Sequence, residues 1–145
     1  MTEREEITAH MDSIVDTYHA GGQTVDQLLI LRRDLAVNLY RLSAFVRQVY
    51  GEAMLGYVRR KYTIACEMVA AQNADAKMPQ SKIEPKTEAL NSTFKARTDE
   101  AWAEAEKEAL RAKVDFAKQV LASMQQEIAY EASEKKSTHF QNQGR

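Results

Sequence analysis

The sequence has little of what builds a sheet or a disulfide-linked fold. Its 145 residues include five glycines, two prolines and one cysteine. No alternating run rich in Val, Ile and Thr leads into a turn dipeptide, whereas helix-forming residues are abundant. A lone cysteine excludes a disulfide framework, and Cys66, close to a predicted apolar face, is predicted to be buried and inert. The composition therefore predicts an all-α fold.

Long hydrophobic runs are absent too. No apolar stretch approaches the roughly 20 residues that cross a bilayer. The N-terminus carries Glu3, Glu5 and Glu6 where a signal peptide would be basic and then apolar. We therefore expect a soluble cytoplasmic protein that has no membrane partner.

Motifs that carry catalysis or bind metals are also missing. The sequence has no glycine-rich phosphate loop, no His-Glu-x-x-His zinc motif and no nucleophile elbow. Its three histidines are scattered. We therefore expect a non-enzymatic protein without catalytic residues, metal site or cofactor.

What the chain does have is an uneven distribution of charge beneath a net charge of −1. Residues 1–26 hold one arginine against six acids, and residues 96–145 hold eight basic side chains against nine acids. Residues 27–95 hold eleven basic side chains against six acids. The middle of the chain is therefore positive, which favours a negatively charged partner.

A short acidic helix is predicted from Glu3 to Ala20, within a first segment of residues 1–22. Thr2 and Glu5 form a capping-box pattern at its start. The glycine pair that follows Ala20 suits a left-handed helix end.

A long helical hairpin is predicted over residues 23–136. Thr24 and Gln27 form a second capping box and open a helix that runs to about Ala71. A second long helix follows after a short connector. Two such helices should pack antiparallel as an extended, coiled-coil-like hairpin.

The connector between the two long helices is predicted at about 72–85, where polar residues and prolines interrupt the apolar pattern. Pro85 suits the first position of the last helix. That helix should end near Lys136, and residues 137–145 are predicted to be a flexible tail.

Apolar residues recur at steps of three and four along both long helices, as in a bundle or coiled-coil seam. A two-helix hairpin cannot cover all of them, so we expect a homo-oligomer. The stripe of the last helix is predicted to include Phe94, Ala101, Ala105, Ala109 and Ala112. The residues predicted for the core and oligomerisation are Leu28, Leu31, Leu35, Leu39, Leu42, Val46, Val49, Phe116, Val120, Leu121, Met124 and Ile128.

Opposite this stripe, the first long helix has a cationic and aromatic face. Arginines bind phosphate oxygens, and aromatic rings stack on the bases of a single strand. The alternative is that the tyrosines pack between helices while the arginines only solubilise the surface. The residues predicted to bind nucleic acid are Arg33, Tyr40, Arg41, Arg47, Arg59, Arg60, Lys61 and Tyr62.

A row of acids on the last helix, Glu100, Glu104 and Glu108, bears on that prediction. In an antiparallel hairpin, residues near 99–108 lie opposite residues near 50–59. Some of these acids are therefore expected to neutralise Arg59 or Arg60. By itself the row is typical of a cation site or of a docking surface for a basic partner. The alternative is a solvated surface relieved by Lys107 and Arg111 of the same helix.

The stretch Val37-Asn38-Leu39-Tyr40, followed by Met54-Leu55 and then Arg59-Arg60-Lys61, resembles the UvsY-type recombination mediators of bacteriophages. Lys86-Thr87-Glu88 is similar to the family's entry to its last helix. The resemblance covers roughly Ala36 to Phe116.

The resemblance implies a ring-like homo-oligomer that binds single-stranded DNA in the cytoplasm of a bacterial host. Such mediators help to load a recombinase onto DNA coated by a single-strand-binding protein. One departure affects the site, because the family's basic pair falls on Cys66 and Met68 here. The alternative function is a helical structural or interaction protein whose basic face binds an acidic protein partner.

Overall fold

The computed structural model describes residues 1–143, and side chains as far as residue 139. Over these residues the chain is all-α, as the composition predicts. It comprises α1 (Glu3–Ala20), α2 (Val25–Ala74), α3 (Gln80–Glu88) and α4 (Asn91–Gln143). The chain divides into unit 1, made of Met1–Phe45 with Arg111–Arg145, and unit 2, made of Val46–Leu110. The two long helices contribute to both units.

Both predicted capping boxes are confirmed. The Thr2 hydroxyl accepts a hydrogen bond from the Glu5 N–H at 3.3 Å, and the Glu5 carboxylate accepts one from the Thr2 N–H at 2.6 Å. These bonds favour the charged carboxylate and lower the pKa of Glu5. The same exchange joins Thr24 and Gln27, at 3.3 and 2.9 Å, before α2. In each capping box, two side chains accept hydrogen bonds from backbone N–H groups that the helix leaves unpaired, and this sets where the helix begins.

The break between α1 and α2 is also the predicted one. Gly21 and Gly22 have φ angles of 75° and 77°, a region that side chains with a Cβ avoid. The Gly21 N–H donates to the carbonyl of Tyr18 at 3.1 Å. Glycine conformational freedom thus ends α1 at Ala20.

The predicted connector contains a helix that the sequence pattern missed. α3 begins after Pro79, whose carbonyl accepts from the Lys82 N–H at 2.9 Å. Its buried residues, Ile83 and Thr87, lie four positions apart and share one face. Pro85 lies inside α3 and does not open the last helix, so that prediction is wrong.

The last helix, α4, is longer than predicted at its C-terminal end. It begins at Asn91 and continues past Lys136 to Gln143. Of the predicted flexible tail, residues 137–143 are helical, and residues 144 and 145 lie outside the described residues.

Unit 1 has a continuous apolar core. Leu28, Leu35 and Leu42 of α2, spaced by seven residues, are at most 2% exposed. Each buried side chain of this size contributes about 1.5–3 kcal/mol. The core is completed from α1 and α4 by Ile7, Met11, Ile14, Val15, Ala117, Val120 and Met124.

Unit 2 has a smaller core. Its buried apolar residues are Val49, Ala53, Ile83 and Leu110. Thr87 and Thr93 are also buried in unit 2, and among the described residues their hydroxyls have no hydrogen-bond partner. An unpaired buried hydroxyl costs about 1–3 kcal/mol, so this core stabilises its unit less well than the core of unit 1 does.

Within unit 2, the contacts between α2 and α4 occur in reverse order along the two helices. The Lys107 ammonium lies 5.6 Å from the ring of Tyr50, and Ser92 donates to Glu67 at 2.8 Å. Between these two contacts, a Cβ placed on Gly56 would lie 3.2 Å from the Cα of Glu100. The absence of a side chain at Gly56 therefore allows the two backbones to approach closely.

The predicted core residues differ in burial. Leu28, Leu35, Leu42, Val49, Val120 and Met124 are buried, whereas Leu31, Leu39, Val46, Leu121 and Ile128 are partly exposed. Phe116 is 48% exposed, with its ring 6.4 Å from that of His19, and so lies outside the unit 1 core.

The stripe predicted for α4 is displaced from the buried face. Phe94 is 70% exposed, and Ala101, Ala105, Ala109 and Ala112 are exposed as well. The covered positions are instead Ala96, Ala103, Leu110 and Ala117, which repeat every seven residues. The predicted burial of Cys66 is also wrong, because this residue is exposed on α2.

Candidate nucleic-acid interface

The α2 residues of unit 1 present accessible cations around one tyrosine. Tyr40 is 80% exposed, and Arg33, seven residues earlier, lies on the same side of the helix. Arg33 contacts the adjacent Asp34 at 3.2 Å, while Arg32 has no ion-pair partner among the described residues. Arg41 pairs with Glu3 at 3.3 Å. Both pairs are largely solvent-exposed, so they are weak and leave the guanidinium groups available.

The predicted cations in unit 2 have different environments. Arg60 forms an ion pair with Glu100, and the two side chains are only 24% and 23% exposed. Its guanidinium also lies 5.4 Å from the ring of Tyr57. Arg60 is therefore committed to an internal contact. The sequence anticipated that an acid of the last helix would neutralise Arg59 or Arg60, and Arg60 is the one that is paired.

The remaining unit 2 candidates are accessible. Arg47 and Arg59 have no ion-pair partner among the described residues, and both are exposed. The Lys61 ammonium lies 5.2 Å from the ring of Tyr57. Tyr62 is exposed, and the hydrogen bond that it shares with Cys66 raises its phenolic pKa. Three cations and one ring of this set therefore remain open to a ligand.

The outward side of α2 in unit 2 is more apolar than the sequence suggested. At 100° per residue, Val58 lies opposite the buried Val49, and Arg59 and Lys61 fall on its two flanks. The exposed apolar side chains along this outward side are Met54, Leu55, Val58, Tyr62 and Val69. We call these five residues the α2 ridge. Positive charge borders the ridge and does not cover it.

A second aromatic surface lies on α4 of unit 2, and the sequence reading missed it. Trp102 is 73% exposed and, with Phe94, walls a shallow groove of about 540 Å³. Its lining includes the small side chains of Thr98, Ala101 and Ala105. This surface was missed because Phe94 was predicted to be buried in a core. Trp102 was not part of the apolar stripe predicted for this helix. We call these five residues the α4 groove.

The acidic row on α4 is partly neutralised within unit 2. Glu100 binds Arg60, and Lys107 binds Glu104 with Glu108 3.9 Å away. The hydrogen bond to Glu104 is the main cause of a raised pKa for the Lys107 ammonium. Glu104 and Glu108 nevertheless keep about half of their surface exposed, so this side of α4 disfavours an anionic ligand.

Two other features, a membrane-crossing helix and a cluster of metal ligands, are absent from the described residues. Between residues 1 and 143, no helix has an apolar stretch long enough for a bilayer crossing. In that same part of the chain, no three His, Cys, Asp or Glu side chains are placed together to hold a metal ion.

The observations define an all-α protein with a cationic, aromatic helix surface. Compared with protein-family models, with curated proteins and with solved structures, the chain has no match. The resemblance to UvsY-type mediators therefore stays a prediction that rests on the residues quoted above.

Proposed function

We propose that this protein is a non-enzymatic homo-oligomer that binds single-stranded DNA. As in the phage mediators that it resembles, it would help to load a recombinase onto DNA coated by a single-strand-binding protein. One observation supports this proposal above the others: Tyr40 is 80% exposed, with Arg32 and Arg33 accessible on the same helix of unit 1. An exposed ring next to cations suits an unpaired base and its phosphates.

The organisation proposed for the long helices is an antiparallel hairpin in unit 2. The reversed order of contacts between α2 and α4 supports it, from Tyr50–Lys107 to Glu67–Ser92. A hairpin of this kind leaves apolar side chains on both outer faces, which favours self-association. An oligomer would repeat a weak binding surface, and the repetition raises avidity without any new contact.

The experiment is a titration of fluorescein-labelled oligo-dT, followed by anisotropy at several salt concentrations. Each phosphate contact contributes about 0.7 to the slope of log K against log salt for a single strand. The double variant Arg32→Ala/Arg33→Ala should therefore lower the slope by about 1.4. Tyr40→Ala should weaken binding by about 1–3 kcal/mol and leave the slope unchanged, because a ring contributes stacking and no charge.

The matched control is Lys118→Ala, which removes an exposed cation from α4 and should change neither quantity. Arg59→Ala/Lys61→Ala tests the unit 2 candidates in the same way. A wild-type protein that fails to bind at the lowest salt concentration removes the proposal. Unchanged binding by the Arg32/Arg33 and Tyr40 variants shows that the surface in unit 1 is not the site.

The second candidate is a helical interaction protein with an acidic protein partner. The α2 ridge favours it, since an apolar strip bordered by Arg59 and Lys61 resembles the centre and rim of a protein interface. A negative DNA titration with stable self-association would support this candidate.

A further inference from the structure

The α2 ridge is an apolar surface that unit 2 itself does not cover. Each of its five side chains keeps more than half of its surface exposed. At its centre, Val58 and Val69 lie opposite the side of α2 that carries Arg60, the partner of Glu100. At its edges, Leu55 and Tyr62 line one cleft shared with α4, and Met54 lines another. The centre of the ridge is therefore not covered by the helix with which α2 pairs.

The α4 groove has the shape that such a ridge needs. Ala101 and Ala105 offer little more than a Cβ, and the exposed rings of Phe94 and Trp102 line the same groove. Small residues beside large ones are what knobs-into-holes packing against another helix requires. Phe94, Thr98 and Trp102 lie away from the covered side of α4, which Ala96 and Ala103 mark. Ala101 lies at the edge of the groove and also lines a cleft shared with Met54 of α2.

The charges beside the two surfaces are opposite in sign. Arg59 and Lys61 flank the ridge, and Glu104 and Glu108 border one side of the groove. Asp99 and Glu106 border the other side of the groove, beside Lys95. Arg97 also lines the groove, but its charge is paired with that of Glu88 at 2.7 Å. Opposite potentials favour this pairing and disfavour ridge against ridge.

We propose that the α2 ridge of one copy docks into the α4 groove of a second copy. The two surfaces differ, so the contact is heterologous, and each copy retains one free ridge or groove until a ring closes or a filament grows. The inference rests on the self-association part of the proposed function and is independent of nucleic-acid binding. It assigns Arg59, Lys61 and Tyr62 to the interface and leaves Arg32, Arg33 and Tyr40 to the nucleic acid.

The test uses two variants that each disable one surface. Val58→Glu places a carboxylate in the ridge, and Ala105→Glu places one in the groove. Each variant alone should be a monomer of 16.5 kDa by light scattering, at concentrations where the wild type is a multimer. Mixed together, they should form a 1:1 dimer and nothing larger, since the groove of the first accepts the ridge of the second.

Two matched controls carry the same change elsewhere: Val37→Glu on the exposed side of α2 and Ala122→Glu on the exposed side of α4. Both should assemble as the wild type does, and circular dichroism should show full helicity for all four variants. A monomeric wild type overturns the proposal. So does a mixture that stays monomeric, or a ridge or groove variant that still assembles alone.

The measurement of mass without DNA separates this inference from the proposed function. A protein that assembles through these surfaces but does not bind oligo-dT contradicts DNA binding and supports the docking. A protein that binds oligo-dT as a monomer supports DNA binding and contradicts the docking.

Discussion

The same seven-residue register of α2 runs through both units with a different outcome in each. In unit 1 the register places Leu28, Leu35 and Leu42 in the core. In unit 2 it continues as Val49, Gly56 and then Thr63, so the side chains become small and polar. The helix is continuous, but the apolar volume that it supplies to the core falls sharply. The seven-residue periodicity alone therefore does not show how much apolar side chain a helix buries in the core.

The difference suggests a division of roles. Unit 1 buries side chains from three helical segments and stabilises itself, whereas unit 2 has a small core and keeps the α2 ridge and the α4 groove exposed. Apolar surface that is not used for folding is available for binding. We therefore expect the stability of the chain to reside mainly in unit 1 and its self-association in unit 2.

The largest expected effect compares two positions of that shared register. Leu35→Ala should lower the free energy of unfolding by about 2–5 kcal/mol, because it opens a cavity in the unit 1 core. Thr63→Ala, at the corresponding partly exposed position of unit 2, should change it by less than about 0.5 kcal/mol. Urea denaturation measures both. Equal losses would show that the two units share one equally packed core.

The next comparison concerns one ion pair in each unit. Arg60 and Glu100 are mostly covered, so a double-mutant cycle of alanine variants should give a coupling energy of about 1–3 kcal/mol. Arg41 and Glu3 are exposed, and their cycle should give less than about 1 kcal/mol. The outcome against this prediction is that the two coupling energies are equal. Arg60 would then be as available to a ligand as Arg41.

The two glycines of α2 test how closely the helices approach in unit 2. A Cβ at Gly51 meets nothing within 4 Å, so Gly51→Ala should stabilise the helix by up to about 1 kcal/mol. At Gly56 the added methyl would press on the Glu100 backbone, so Gly56→Ala should be less stable than Gly51→Ala by about 1–2 kcal/mol. Thermal denaturation of the pair measures the difference. Equal stabilities would indicate a looser unit 2.

The sequence predicted well those features that depend on local chemistry. The capping boxes at Thr2 and Thr24, and the glycine pair after Ala20, set the limits of α1 and the start of α2, and each involves residues close together in the chain. α3 was missed because Pro85 resembles a helix start, whereas in the structure Pro85 lies inside the helix and Ile83 is buried.

The surfaces that depend on packing were harder to predict. α4 has alanines on several sides, and alanine is found both in cores and on surfaces. The face with Ala101 and Ala105 therefore looked as suitable for a core as the face with Ala96 and Ala103. Because Phe94 lies on the first of these faces, it was wrongly predicted to be buried. On α2, the leucine register correctly identified the buried side. It could not predict that Arg60 is unavailable to a ligand, because this depends on which acid of α4 lies beside it.

The smallest expected effect concerns the weak core of unit 2. The Thr93 hydroxyl is buried without a partner among the described residues, so Thr93→Val should raise the free energy of unfolding by about 1 kcal/mol. Thr17 of unit 1 is the control, because its exposed hydroxyl donates to the Ser13 carbonyl at 2.8 Å and its replacement by Val removes a satisfied bond. Hydrogen exchange should show the Thr93→Val gain in the amides of unit 2, where local opening exposes residue 93. A loss of stability would mean that the hydroxyl is paired, and the core of unit 2 would then be better satisfied than its geometry indicates.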